Sequence, residues 1–171
     1  MPGLFRHSFA LHLSTLPGAA RRVFSRNRLA DEGGDDGNQR RRAYLTASNF
    51  ERSREFYRKL LPFLGLKPVI DTETTYYCVG GRTAVGISAP SPEHAGAAFE
   101  QKRVGLHHLC FRARERADID ELHTFLATSG TTIIRAPRED QWAPGYYSLL
   151  FEDPDGMRLE LNHVPGKGLL V

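Results

Sequence analysis

The chain has 171 residues, 40% hydrophobic and 25% charged, a composition that suits a globular domain with its own core; no apolar run approaches the roughly 20 residues that span a bilayer. Its net charge of +3 is unevenly placed: residues 1–30 hold five arginines and no acid, residues 31–42 four acids and three arginines, and the remainder 15 basic against 16 acidic residues. A nearly neutral body excludes a basic surface for phosphates, so neither nucleic acid nor membrane is an expected partner.

Residues 1–42 read as an extension to the fold. Residues 1–30 are rich in Arg and Ser and loosely amphipathic, which is the composition of an organelle transit peptide and also what a misplaced start codon produces. Asp31 to Gln39 contains no apolar residue and is expected to be a disordered linker. Cys78 and Cys110 both fall in strand-like runs and read as buried thiols of a reducing compartment. The expected location is cytoplasmic, with organelle targeting through residues 1–30 as the alternative.

Structure is expected from Ala43 to Val164. Tyr44 to Ala47 is a short strand. Ser48-Asn49-Phe50-Glu51 matches a capping box with Ser48 as the cap. The helix that follows carries Phe56, Tyr57, Leu60 and Leu61 at helical spacing, and Pro62 with Gly65 ends it. Three strands come next, at Lys67 to Asp71, Thr75 to Val79 and Thr83 to Ser88. Residues 91–103 form a connector dense in Pro and Gly.

The pattern then repeats. Leu106 to Ala113 is a strand, Asp118 with Glu121 opens a helix with Ile119, Leu122, Phe125 and Leu126 inside, and Gly130 closes it. Thr131 to Arg135 is a strand and Pro137 to Gly145 a loop. The last hairpin, Ser148 to Asn162, turns at Asp153-Pro154-Asp155-Gly156, where Pro154 pre-sets φ and Gly156 relieves the exit. With a side-chain period of two, Leu159 and Leu161 share one face while Arg158, Glu160 and Asn162 share the other. The organisation is thus α+β, two βαβββ units at about 43–90 and 104–164 with a tail at 165–171. Each unit has a curved sheet covered by its helix on one face and bare on the other. Two such units together would enclose a small concave space, within one chain or across a dimer.

This arrangement, with Glu51 to Gly65, Gly105-Leu-His-His-Leu-Cys-Phe and Asp153-Pro-Asp-Gly-Met-Arg-Leu-Glu-Leu, resembles the vicinal oxygen chelate superfamily, the group of glyoxalases, bleomycin-resistance proteins and extradiol dioxygenases. The resemblance implies a curved mixed sheet or half-barrel. It does not fix the reaction, because the scaffold carries isomerases, epimerases, thiol transferases, oxygenases and metal-free binders. In its metal-binding members a His on each first strand and a Glu on a last strand hold a divalent ion such as Zn, Fe, Mn or Ni. Carried over by position, His108 and Glu160 match, with Glu160 also the expected catalytic group. The first-unit histidine position falls at Arg42 and the other acidic position at Val85 or Gly86. Two ligands survive where catalytic sites use three.

Alternation places His108, Cys110 and Arg112 on the concave side with Glu160. Tyr44 shares the face of Arg42. One tyrosine of each adjacent pair turns inward, and Tyr76 and Tyr147 are assigned to the site with Trp142 over its mouth. The expected ligand is a small oxygen-bearing metabolite or xenobiotic, bound by a monomer or homodimer. It would be handled by metal-assisted lyase, isomerase or dioxygenase chemistry, or sequestered without a metal.

Overall fold

The computed structural model describes residues 41–166. The transit-peptide and linker expectations for residues 1–40, and residues 167–171 of the tail, lie outside the described residues. Two four-stranded sheets are built in the same order. In the first, β1 (Arg41–Thr46) runs parallel to β4 (Thr83–Ser88), which pairs antiparallel with β3 (Thr75–Gly80), and β3 with β2 (Lys67–Asp71). In the second, β5 (Leu109–Arg112) runs parallel to β8 (Arg158–His163), followed outward by β7 (Tyr147–Glu152) and β6 (Ile133–Glu139). Helix α1 (Phe50–Phe63) lies between β1 and β2 in the chain, and α2 (Arg116–Thr128) between β5 and β6. The repeated βαβββ pattern and the α+β class are both present.

Side-chain alternation decides what each sheet buries. Leu45, Cys78, Val85 and Ile87 pack with Tyr57, Leu60 and Leu61 of α1, and Leu149, Phe151, Leu159 and Leu161 pack with Ile119, Leu122 and Leu126 of α2. At about 25 cal/mol for each Å² of apolar surface removed from water, these two stripes supply most of the driving force for the fold.

Several boundaries differ from the sequence expectation for local reasons. Strand β1 takes in Arg41 and Arg42, because Arg41 N–H bonds to Arg82 O at 2.8 Å and extends the ladder. Asn49, not Ser48, caps α1 by accepting from Arg52 N at 3.1 Å. At α2 the cap is Glu115, and Asp118 sits three residues on, its carboxylate accepting from the N–H groups of Arg114 and Glu115 at 3.1 Å. Strand β6 runs through Pro137 to Glu139: it is an edge strand, and the ladder shifts between Arg135 and Arg138, so the missing N–H costs no pairing. Strand β5 begins only at Leu109, leaving His107 and His108 just before it.

Ser48 is free to do something else. Its N–H and its hydroxyl both donate to Asp155 in the β7–β8 turn, at 2.9 and 2.5 Å, and Arg52 Nη2 donates to the same carboxylate at 2.8 Å. Beside it, Tyr57 O–H donates to Asp153 at 2.8 Å, and Asp153 also accepts from the N–H groups of Asp155 and Met157. Phe63 stacks on Phe125 with ring centroids 4.8 Å apart. The turn that folds the last hairpin is therefore also the clasp that holds the two units together within one chain.

Candidate functional site

The site forms on the face of the second sheet that α2 leaves uncovered. The tight Asp153 to Gly156 turn, with Gly156 at φ 87°, sets the hairpin register so that Leu150 lies opposite Glu160 and Ser148 opposite Asn162. Beyond them, Arg135 pairs with Leu150 and Cys110 with Glu160. One row across four strands thus reads Arg135, Leu150, Glu160, Cys110.

Glu160 is 7% exposed. Its Oε1 is well supplied: Tyr146 O–H donates to it in a short bond, Asn162 Nδ2 at 3.5 Å, and Cys110 Sγ lies at 3.9 Å. Asn162 Nδ2 also donates to Tyr146 Oη at 2.9 Å, so the tyrosine is held from both sides. Oε2 has no hydrogen bond among the described residues. It faces His108 Nε2 at 3.9 Å and Arg135 Nη2 at 3.8 Å. Arg135 is itself fixed by Ser148 Oγ at 2.6 Å and by an ion pair with Asp140 at 2.7 Å. The His108 ring is steered by His107, their Nδ1 atoms 2.7 Å apart with one donating to the other.

Cys110 is exposed, not buried as expected, yet the atoms packed around its thiol, and then the adjacent Glu160 charge, push that thiol up to about 12. Burial, and then the bond to Glu160, hold the Tyr146 hydroxyl protonated well above its ordinary range. Neither group is an anion near neutral pH, so Cys110 is not a ready nucleophile. Iodoacetamide should therefore alkylate Cys110 far more slowly than free cysteine at pH 8, with the rate climbing only as pH rises toward 12. Glu160→Gln, which removes one of the causes, should move that rise to lower pH. Peptide mass spectrometry of the Cys110 adduct reads both, since Cys78 is fully buried; an unchanged profile in the variant would show that Glu160 does not set the thiol.

The sequence-assigned residues divide. His108, Glu160 and Cys110 meet as expected. Tyr76 does not belong: it is 2% exposed among the α1-side core residues, and Tyr77, opposite Gly86, is the member of that pair on the bare face. Tyr147 also turns away, its O–H donating to Asp120 of α2 at 2.7 Å with Arg116 over its ring; Tyr146 is the inward one. The pair straddles the strand start, where alternation had no fixed phase. Arg112 is on the expected face but donates to Val164 O at 2.7 Å and so ties down the residue after β8. Trp142 is 74% exposed and covers nothing in this structure. Tyr44 stacks on Tyr77 with centroids 6.1 Å apart, and both rings lie over Gly86, where a Cβ would come within 2.5 Å of Tyr44 and 2.8 Å of Tyr77.

Arg135, Asp140 and Ser148 were not foreseen. Counting outward from the hairpin turn would have placed Ser148 on this face. Arg135 needed the bulge as well.

A cavity of about 350 Å³ lies where the units meet, lined by Arg42, Ala43, Leu64 and Val85 from the first and by Leu109, Cys110, Phe111 and Arg112 from the second. It shares Cys110 with the Glu160 cluster, while Val85, Leu109 and Phe111 line it from the helix-covered faces of the two sheets. A larger cavity of about 460 Å³ opens between the helices, but its Arg52 is paired with Asp155 and its Lys59 with Glu55, so these cations are already engaged.

The two expected ligands, His108 and Glu160, face each other but are not joined by a third that would complete a divalent-ion site. Among the described residues no group of three or more His, Cys, Asp and Glu side chains is placed so that it could hold a metal ion. Gly86, not Val85, occupies the bare-face position of β4, and Arg42 that of β1. The charge brought up to Oε2 from within the protein is a guanidinium.

Comparison with known proteins agrees with this architecture. Residues 41–161 match the family described as the Glyoxalase/Bleomycin resistance protein/Dioxygenase superfamily. The uncharacterized protein YqjT of Bacillus subtilis (strain 168) is 27% identical over 118 residues, 68% of this chain and 92% of that protein. The crystal structure of a glyoxalase candidate from Bacillus halodurans superposes with a TM-score of 0.64 at 26% identity, covering 73% of this chain and 95% of that one. A lactoylglutathione lyase from Agrobacterium tumefaciens shares the fold at a TM-score of 0.52 and 22% identity, over 71% and 90% of the two chains.

Proposed function

This chain belongs to the Glyoxalase/Bleomycin resistance protein/Dioxygenase superfamily, and from that premise we propose that it binds a small oxygen-bearing organic molecule on the bare face of its second sheet, without a resident divalent metal. The observation that carries this reading is Glu160, buried, with one carboxylate oxygen saturated by Tyr146 and Asn162 and the other turned toward Arg135 and His108. A buried carboxylate needs a compensating charge. Arg135 supplies it from within the fold, where a metal-binding relative would use the ion.

A second reading keeps the metal. His108 Nε2 and Glu160 Oε2 face each other at 3.9 Å, the two positions that match the family's ligands; metal-assisted lyase, isomerase or dioxygenase chemistry would then need a third donor from outside the described residues. Melting the purified 171-residue protein with a panel of hydroxylated aromatic and aliphatic compounds, with and without EDTA, separates the two. Ligand-induced stabilisation that EDTA leaves unchanged is the expected result. A melting temperature lowered by EDTA alone, with Zn, Fe, Mn or Ni near one equivalent in the parent and lost in His108→Ala and Glu160→Ala, would overturn the metal-free reading.

A further inference from the structure

Building on the small-molecule reading above, we infer that the notch between Glu160 Oε2, His108 Nε2 and Arg135 Nη2 is a seat for one hydroxyl oxygen of the ligand, and that Arg135 and Glu160 together select a hydroxyl over an ether. Glu160 Oε2 lies 3.9 Å from His108 Nε2 and 3.8 Å from Arg135 Nη2. Both distances exceed a direct hydrogen bond, yet one oxygen at about 2.8 Å from each atom of such a pair bridges the gap.

The chemistry of the three walls differs. Oε2 accepts only and has no hydrogen bond among the described residues, so its lone pairs are open to a donor. Arg135 Nη2 carries two protons, one given to Ser148 Oγ at 2.6 Å; the second is left for the notch. His108 Nε2 donates or accepts according to which ring of the His107–His108 pair holds the shared proton. An oxygen in this position must donate to the carboxylate and accept from the guanidinium. A hydroxyl does both. An ether or ester oxygen accepts only and would leave Oε2 facing a lone pair, while an ammonium donates only and would sit against Arg135.

The remaining groups around the notch do not compete for it. Tyr146, Asn162 and Cys110 all address Oε1, and the Asp140 carboxylate pairs with Nη1, on the other branch of the guanidinium.

The test uses matched fragments that differ by one methyl group: phenol against anisole, catechol against guaiacol, and benzyl alcohol against benzyl methyl ether. Each is titrated on the 171-residue protein by ligand-observed NMR. The hydroxyl member should bind at least about tenfold tighter in the wild type, the worth of one good charge-assisted hydrogen bond. In Glu160→Gln, whose amide nitrogen can donate into the seat, the preference should shrink below about threefold or reverse. The wild-type ratio does not depend on any variant folding, and circular dichroism with a melting curve checks the Gln variant. Equal affinity within every pair would overturn the seat and leave the small-molecule reading standing. A hydroxyl preference that survives Glu160→Gln would overturn the role of Oε2. Failure of all six fragments to bind would remove the seat together with the reading it rests on.

Discussion

Asp153→Ala should lower the unfolding free energy by about 3–5 kcal/mol, a fall in Tm of about 10–20 °C for a domain of this size. Asp153 is a turn residue by sequence, and turn residues of surface hairpins usually tolerate alanine. Here it is 5% exposed and accepts three hydrogen bonds, from Tyr57 O–H and from the N–H groups of Asp155 and Met157. Truncation strands a fully buried tyrosine hydroxyl and two backbone donors together, each costing about 1–3 kcal/mol if left unmade. Burial raises the Asp153 carboxyl above its ordinary range, and the three donors work against that rise. Tyr57→Phe removes one donor only and should cost about 1–2 kcal/mol. The two changes act on one bond, so the double variant should fall short of the sum. Urea titrations of the four proteins measure this; an Asp153→Ala loss below about 1 kcal/mol would show that the clasp contributes little.

Arg135→Met should cost about 2–4 kcal/mol, and adding Glu160→Gln should return most of it. The guanidinium is mostly covered and faces two covered carboxylates, Asp140 at 2.7 Å and Glu160 at 3.8 Å. Methionine fills similar space but removes the charge, so Glu160 would be left with His108 as its nearest cation candidate. Asp140 keeps Arg138 at 3.3 Å and is less affected. Neutralising Glu160 in the same molecule takes away the charge that had lost its partner, while an amide oxygen still accepts from Tyr146. A double-mutant cycle by urea unfolding reads the coupling directly. Strict additivity of the two single losses would mean that Arg135 does not balance Glu160, and the metal-free reading would lose its main support.

Much of this protein is set locally and so was open to sequence reading. The helical spacing of Tyr57, Leu60 and Leu61 and of Ile119, Leu122 and Leu126, the left-handed Gly130 and Gly156, and the alternation in the last hairpin each depend on residues a few positions apart. The repeat of that pattern announced the architecture. Glu160 beside His108 and Cys110 followed from alternation plus the resemblance, because β5 and β8 are neighbours in the repeated sheet order.

Where the reading failed, the deciding interaction was distant in sequence. Tyr76 and Tyr77 differ by nothing in composition, and only the pairing of Tyr77 with Gly86 fixes which one α1 buries. Tyr147 turns to Asp120 on α2, leaving Tyr146 for Glu160. Ser48 exchanged a local capping role for a carboxylate 107 residues further on.

By itself, then, the order of residues determined two α+β units, their strand faces and the carboxylate at the centre of one of them, because propensity and periodicity act over a single element. Only the tertiary structure decided that the units clasp within one chain, that the last turn is the clasp, and that Arg135 answers Glu160. Those outcomes depend on a bulge, a strand register and a helix packed from another unit, and the free energy of each becomes defined only when both halves of the contact are in place.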